Sequence, residues 1–278
     1  MKPTLLLLCS ALFAFLPACA RKPQGRSQNA AAGMARPTAG QQLNPSSGSL
    51  PPGTRISYNS VSVPGPYIAM TFDDGPHASN TPRLLDMLKA RGIRATFFTV
   101  GQNTARYPAI MRRIIADGHE LANHTWTHPK LSSLSDASVR NELKRSHSSL
   151  VSLGAAPRMY RPPYGAITAR QKQWIMNEFG YPTILWSVDP EDWRTRSASM
   201  TRSRILANTR PGGIILVHDI HPSSIDAMPG TLDGLLAKGF RFVTVSDLIA
   251  MGNRSKPGTS SPIVQAPPPP ITFSPGSF

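Results

Sequence analysis

His124-Thr125-Trp126-Thr127-His128 sets two imidazoles four residues apart. On a helix that spacing puts both rings on one face, where they can grip a single ion; it equally suits an ordinary solvated or core face. Asp73-Asp74-Gly75-Pro76 brings two carboxylates together, and Asp-Gly-Pro is also a common turn. The two segments say more jointly than singly. Two neutral imidazoles and one carboxylate leave open positions on a divalent ion for water and substrate, the arrangement by which a hydrolase lowers the pKa of water toward neutrality. The second carboxylate then has a separate task, general base, beside the ligand but off the ion. Other polar residues are ambiguous alone: Arg161 before Pro162-Pro163 can be a surface cation, Trp193 and Leu216 core residues, Asp189 and Asp192 helix caps. His77, His119, His147 and His221 match no ligand position and read as surface or structural.

Side chains so far apart in sequence meet only if the backbone gathers the elements that carry them. Tyr67 to Phe72 is a short apolar run broken by Asp73-Asp74-Gly75-Pro76, which reads as a buried strand ending in a turn. Thr81 then predicts a helix cap, with Pro82 at the first helical position, Leu84, Leu85 and Leu88 on one face, and Gly92 at the left-handed end. Ala95 to Val100 is a β-branched and aromatic strand, Pro108 to Asp117 a helix, and Glu120 to Asn123 a short strand leading to His124. Ser135 to Leu153 reads as helix, and Thr168 with Gln171 forms a capping box for another ending at Phe179. Thr183 to Val188, Ile214 to Val217 and Phe240 to Val245 are later strands, with helices near 199–208 and 231–238. Repeated β-then-α order implies a parallel sheet, because each parallel return needs a crossover. About seven such units over roughly 190 residues predict an α/β fold, a distorted (β/α)7-type barrel whose strand ends carry chemistry. The polar clusters fall on those ends: Asp73-Asp74, His124 to His128, Arg161 to Gly165, Asp189 to Trp193, and His218-Asp219.

Five segments in this order resemble the polysaccharide deacetylases of carbohydrate esterase family 4, the nodulation-factor, chitin and peptidoglycan deacetylase type of domain. They are Thr71-Phe72-Asp73-Asp74-Gly75-Pro76, His124-Thr125-Trp126-Thr127-His128, Arg161-Pro162-Pro163-Tyr164-Gly165, Asp189-Pro190-Glu191-Asp192-Trp193 and Leu216-Val217-His218-Asp219, and the likeness covers residues 66–250. The resemblance implies that Asp74, His124 and His128 hold one divalent metal ion, usually zinc, with cobalt, nickel or manganese as alternatives. It implies that Asp73 is the general base, paired with Arg161, and that His218 is the general acid, oriented by Asp189. The backbone N–H of Tyr164 would help hold an oxyanion, and Leu216 and Trp193 would receive an acetyl methyl group. Amide hydrolysis needs a nucleophilic water, a stabilised tetrahedral oxyanion and a proton for a poor leaving group, and these residues cover all three. The implied function is removal of N-acetyl groups from a GlcNAc-containing polymer, peptidoglycan first. Chitooligosaccharide or exopolysaccharide N-deacetylation and O-acetyl xylan hydrolysis are the alternatives.

Of the 278 residues, 1–57 carry six Lys/Arg and 253–278 carry two, and neither segment has an acid; between them 22 basic residues face 15 acids, leaving +7 there and +8 on the flanks. Such a surface concentrates anionic polymers or membranes. The basic residues are scattered singly, without basic runs or interleaved aromatics, which argues against a nucleic-acid partner. Met1-Lys2-Pro3 followed by apolar Thr4 to Leu16 reads as an export signal over 1–20, too short for a permanent span. Leu16-Pro17-Ala18-Cys19 resembles a lipoprotein box that would lipidate Cys19, whereas Ala18-Cys19-Ala20 suits ordinary cleavage. With Cys9 removed, at most Cys19 remains, so no internal disulfide forms. Residues 21–57 and 253–278 are poor in large apolar side chains and read as a flexible tether and a Pro-rich flexible tail around a single domain, 58–252. The expected product is an exported monomer at a bacterial cell envelope, periplasmic or held by a lipid on Cys19, or secreted. Two other classes fit less well. A non-catalytic glycan-binding protein need not keep Asp73 and His218; a non-haem iron oxygenase shares the two-His, one-carboxylate set but sits on a double sheet rather than βα units.

Overall fold

The computed structural model describes residues 54–254. The expected export signal with Cys19, and nearly all of the tether and tail, lie outside the described residues. In chain order the elements are β1 (Ser57–Tyr58), β2 (Tyr67–Asp73), α1 (Asn80–Lys89), β3 (Thr96–Thr99), α2 (Gly101–Arg106), α3 (Pro108–Ala116), β4 (Glu120–Asn123), α4 (Asp136–Ser152), α5 (Ala169–Phe179), β5 (Thr183–Ile184), α6 (Asp192–Thr195), α7 (Ala198–Asn208), β6 (Ile214–His218), α8 (Pro222–Ala237), β7 (Arg241–Phe242) and α9 (Val245–Arg254). All strand pairs are parallel: β2 lies between β3 and β6, β4 flanks β3, β7 pairs with the start of β2, and β1 pairs with β5. Single-residue bridges complete the ring. Tyr160 joins Asn123 of β4 to Thr183 of β5, and Val188 joins Ile215 of β6. The result is the distorted α/β barrel that the βα order predicts.

Successive side chains of a strand point to opposite faces, and the composition of β2 exploits this. Ile68, Met70 and Phe72 enter one core with Leu84, Leu85 and Leu88 of α1 and Leu232 and Leu235 of α8. Ala69 faces the other way, into a second cluster with Phe98, Ala122, Ile184 and Ile214. Burial of each Leu or Phe contributes about 1.5–3 kcal/mol, so the helix-facing layer carries most of the hydrophobic stabilisation. The interior above Ala69 is thereby free to hold polar groups on the same face, Thr71 and Asp73.

Local signals and structure part where tertiary contacts decide. Thr81 lies inside α1 rather than capping it: its hydroxyl accepts from the His77 N–H at 2.7 Å and donates to Asp219. Helix α8 begins at Pro222, well before 231, and runs through Pro229 because Ile225, Met228, Leu232 and Leu235 are all buried against the barrel. Only Arg241–Phe242 of the expected strand 240–245 is strand; Thr244 caps α9 instead, accepting from the Asp247 N–H at 3.1 Å. Strand β1 starts inside the segment read as tether, and α9 reaches Arg254, inside the segment read as tail. The capping box Thr168–Gln171 forms as read, and α5 ends on Gly180 at φ 67°.

Candidate active site

The C-terminal ends of the strands open into a cavity of about 400 Å³. Its lining includes Asp73, Asp74, His124, His128, Tyr164, Asp189, Trp193, Leu216 and His218, every residue to which the family resemblance gives a role except Arg161, which is fully buried beneath it. Asp73 is the last residue of β2 and is in register with His218, the last of β6. Parallel neighbours lie about 4.8 Å apart, so the two side chains rise together into the cavity. One residue on, Asp74 takes a left-handed φ of 74°, which turns its carboxylate aside from the strand direction. Asn103 of α2 donates to the Asp74 carbonyl at 2.8 Å and holds that turn.

The segment His124 to His128 is not the helix its spacing suggests. Thr125 and His128 have φ of 67° and 63°, and the segment is a tight loop leaving β4. The imidazoles still converge: His124 Nε2 and His128 Nε2 lie 3.3 and 3.1 Å from Asp74 Oδ1. His124 Nδ1 is 2.8 Å from the Arg161 carbonyl, which can only accept, so Nδ1 carries the proton and Nε2 presents a lone pair. Ligands about 2.0–2.1 Å from a tetrahedral ion stand roughly 3.3 Å apart, close to the spacing seen here. Asp74 Oδ1 is buried with no hydrogen bond directed at it, although two ring nitrogens are in reach. Lone pairs that face one another across such gaps fit a shared cation. Asp73 Oδ2 is farther off, 3.7 Å from His124 Nε2.

Arg161 follows Tyr160, the single-residue bridge between β4 and β5, and its guanidinium crosses the barrel interior. It donates to Asp73 Oδ1 at 2.6 Å, to Thr71 Oγ1 at 2.8 Å, and to the carbonyls of Ile184 and Leu185 at 3.3 and 3.1 Å, and it stacks 4.1 Å over the Phe98 ring. Burial lowers its basicity while Asp73 opposes that shift. Tyr164 is left-handed at φ 60°, and its exposed ring meets His128 edge-on at 4.8 Å. Trp186, which sequence reading missed, also lines the cavity and packs under Gly165.

On the far strand the sequence expectation needs correction. The carboxylate on His218 Nδ1 belongs to Asp192, at 2.9 Å, not to Asp189. Asp192 is fully buried and also accepts from the His218 N–H at 2.9 Å and the Ser224 hydroxyl at 2.5 Å. Asp189 instead accepts from the Glu191 N–H at 2.8 Å, fixing a left-handed Glu191 at φ 54°. Both acids lie in one motif three residues apart, and that turn decides which reaches the imidazole. Burial alone would lower His218, but Asp192, with Asp73 and Asp74 beyond it, pushes it up to about 9. Burial likewise raises Asp192, and His218 and Ser224 outweigh it, leaving the carboxyl below its usual range. Asp219, buried behind the Asp74 turn, is pushed up to about 7 by desolvation. Two of the other histidines are engaged within the fold: His119 is lowered to about 4 by burial and accepts from the Ala95 N–H, and His147 pairs with the Tyr181 hydroxyl at 2.5 Å.

Comparison with known proteins gives this geometry a context. A family model described as polysaccharide deacetylase matches residues 60–184, which covers β2 to β5 and stops short of Asp192 and His218. The chain is 38% identical over 182 residues to the peptidoglycan-N-acetylglucosamine deacetylase PgdA of Listeria monocytogenes, a match covering 65% of this chain and 38% of that protein, so it spans well under half of that relative's length. It is 41% identical over 157 residues to a chitooligosaccharide deacetylase of a Bradyrhizobium species, covering 56% of this chain and 71% of the relative. The crystal structure of the Bc1960 peptidoglycan N-acetylglucosamine deacetylase superposes with a TM-score of 0.68 at 36% identity, covering 71% of this chain and 94% of that one. By motif, fold and these matches, the chain belongs to the polysaccharide deacetylase family.

Proposed function

We propose that this chain is a metal-dependent N-deacetylase of GlcNAc-containing polysaccharide, with peptidoglycan as its substrate. The observation that carries the reading is the in-register pair of Asp73 and His218 beside the cluster Asp74, His124 and His128, whose ligand atoms all lie within 4.8 Å of one another. Asp74, His124 and His128 would hold a divalent ion, zinc suiting the nitrogen and oxygen donors and cobalt, nickel or manganese being able to replace it, and the ion would supply Lewis acidity for activating water. Asp73 removes a proton from the attacking water through Oδ2, since Oδ1 is engaged by Arg161 at 2.6 Å. The N–H of Tyr164 donates to the developing oxyanion. His218, held by Asp192, passes its proton to the amide nitrogen as the C–N bond breaks, releasing acetate and a free amine. Leu216 and Trp193 enclose the acetyl methyl, and the exposed faces of Trp193 and Tyr164 offer surfaces for sugar rings.

Peptidoglycan is favoured by the names of the Listeria relative and of the Bc1960 structure, and by the formal charge of +15, which suits a glycan bearing carboxylates. The Bradyrhizobium match supports chitooligosaccharide as the second reading. We place the protein at the cell envelope after export, periplasmic or held by a lipid on Cys19, or secreted; the envelope is favoured by the peptidoglycan named for the Listeria relative. Acetate release from peptidoglycan, chitooligosaccharide and acetyl-xylan tests the substrate, with zinc or cobalt added. Fastest release from peptidoglycan, abolished by a chelator, is the expected result. Chelator-insensitive release would remove the metal from the mechanism, and a preference for acetyl-xylan would replace amide by ester chemistry.

A further inference from the structure

A loop with two left-handed residues should not hold two ligands still unless its amides are bonded elsewhere. All five from His124 to His128 are. The His124 N–H donates to the Thr99 carbonyl, that of Thr125 to Asn123 Oδ1, and that of His128 to Thr125 Oγ1. The two between them, Trp126 and Thr127, both donate to one atom, Glu142 Oε2, at 2.9 and 2.8 Å, and the Thr127 hydroxyl donates to Oε1 at 2.9 Å. Glu142 sits in the middle of α4 and is buried, so a carboxylate is placed inside the fold to meet this loop alone. The first amides of α2 also close on the loop carbonyls, Gly101 on Thr125 and Gln102 on Trp126, at 2.9 and 3.1 Å.

We propose that Glu142 is a positioning residue of the metal centre: it clamps the loop from α4 so that His124 and His128 converge before any ion arrives. The inference rests on the metal reading given under the proposed function. Removing Glu142 strands two inward-facing N–H groups, and the loop then relaxes toward conformations in which the two rings separate. A glutamine keeps a carbonyl oxygen that can accept both amides. An aspartate keeps the charge but withdraws it by about 1.5 Å.

The test is cobalt(II) affinity of the purified, metal-stripped protein, measured by competition with a chromophoric chelator after circular dichroism shows each chain folded. Glu142→Ala and Glu142→Asp should weaken cobalt binding about 10- to 100-fold, and Glu142→Gln should stay within roughly threefold of the parent. Val139→Ala, a core change one turn earlier on α4, should lower the melting temperature and leave cobalt affinity alone. If Glu142→Ala does not fold, Glu142→Asp decides. Parent-like affinity in Glu142→Asp overturns the clamp, as does an equal loss in Val139→Ala, which would mean general softening. Glu142→Gln falling well below Glu142→Asp would overturn it in favour of a pure charge effect, because aspartate keeps the charge and glutamine does not. A parent chain that takes up no cobalt would instead defeat the metal reading.

Discussion

Strands β2 and β6 run side by side in register, and their last residues, Asp73 and His218, meet the same cavity under opposite influences. Asp73 is met from below by the buried guanidinium of Arg161, and the backbone then breaks into a left-handed Asp74. His218 ends a regular strand and is met from the side by Asp192, a buried carboxylate on another element. The proposed base and the proposed acid thus each have a buried partner of complementary charge at hydrogen-bond distance. The comparison also separates two means of control. On the proposed metal side the left-handed turns fall at the cluster itself, Asp74, Thr125 and His128; on the proposed acid side His218 keeps strand backbone, and the left-handed turn, at Glu191, serves the carboxylate that meets it.

The largest test of this contrast lies on the β2 side. Asp73→Asn should cut acetate release by about 10²- to 10⁴-fold while cobalt affinity stays at the parent value, because the residue stands off the ligand cluster. A parallel loss of cobalt would make Asp73 a ligand and collapse the division of labour. Next is Asp192→Asn. His218 is pushed up to about 9, above an ordinary 6.5, so the charged form, the acid donor of the proposed mechanism, is present below that pH and is lost as pH rises through it. The stabilisation from the pair is complete below pH 6.5 and disappears across the same window. Without Asp192 the alkaline limb of the activity profile should move down toward neutrality, with about a tenfold loss above pH 8. The smallest effect is expected for Asp189→Asn, about threefold or less with an unmoved alkaline limb, because its carboxylate serves the turn at Glu191. A shifted limb in that variant would return the orienting role to Asp189.

The barrel and the clustering of polar residues on strand ends were legible in the sequence because short apolar runs broken by turns, and helix caps, are local signals. Geometry within the site was not. Two histidines at i and i+4 suggest a helix, and nothing in their types reveals that Thr125 and His128 adopt positive φ, since that conformation is held by the neighbouring Asn123 together with Glu142 and α2 from elsewhere in the chain. Asp189 and Asp192 are the same residue type within one five-residue motif; only folded context separates them. Helix α8 hid behind Pro229, and α9 behind a run of β-formers whose cap, Thr244, was easy to overlook.

Tyr160 gives the closed ring a joint one residue wide, and Arg161 follows it directly. The guanidinium that reaches Asp73 and Thr71 on one side also grips the carbonyls of Ile184 and Leu185 on the other, so it acts as a spoke across a hoop whose clasp is narrow. Mechanical integrity and reactivity share that spoke. A substitution that retunes the base at this position also slackens the rim, and the chain can vary neither property there without the other.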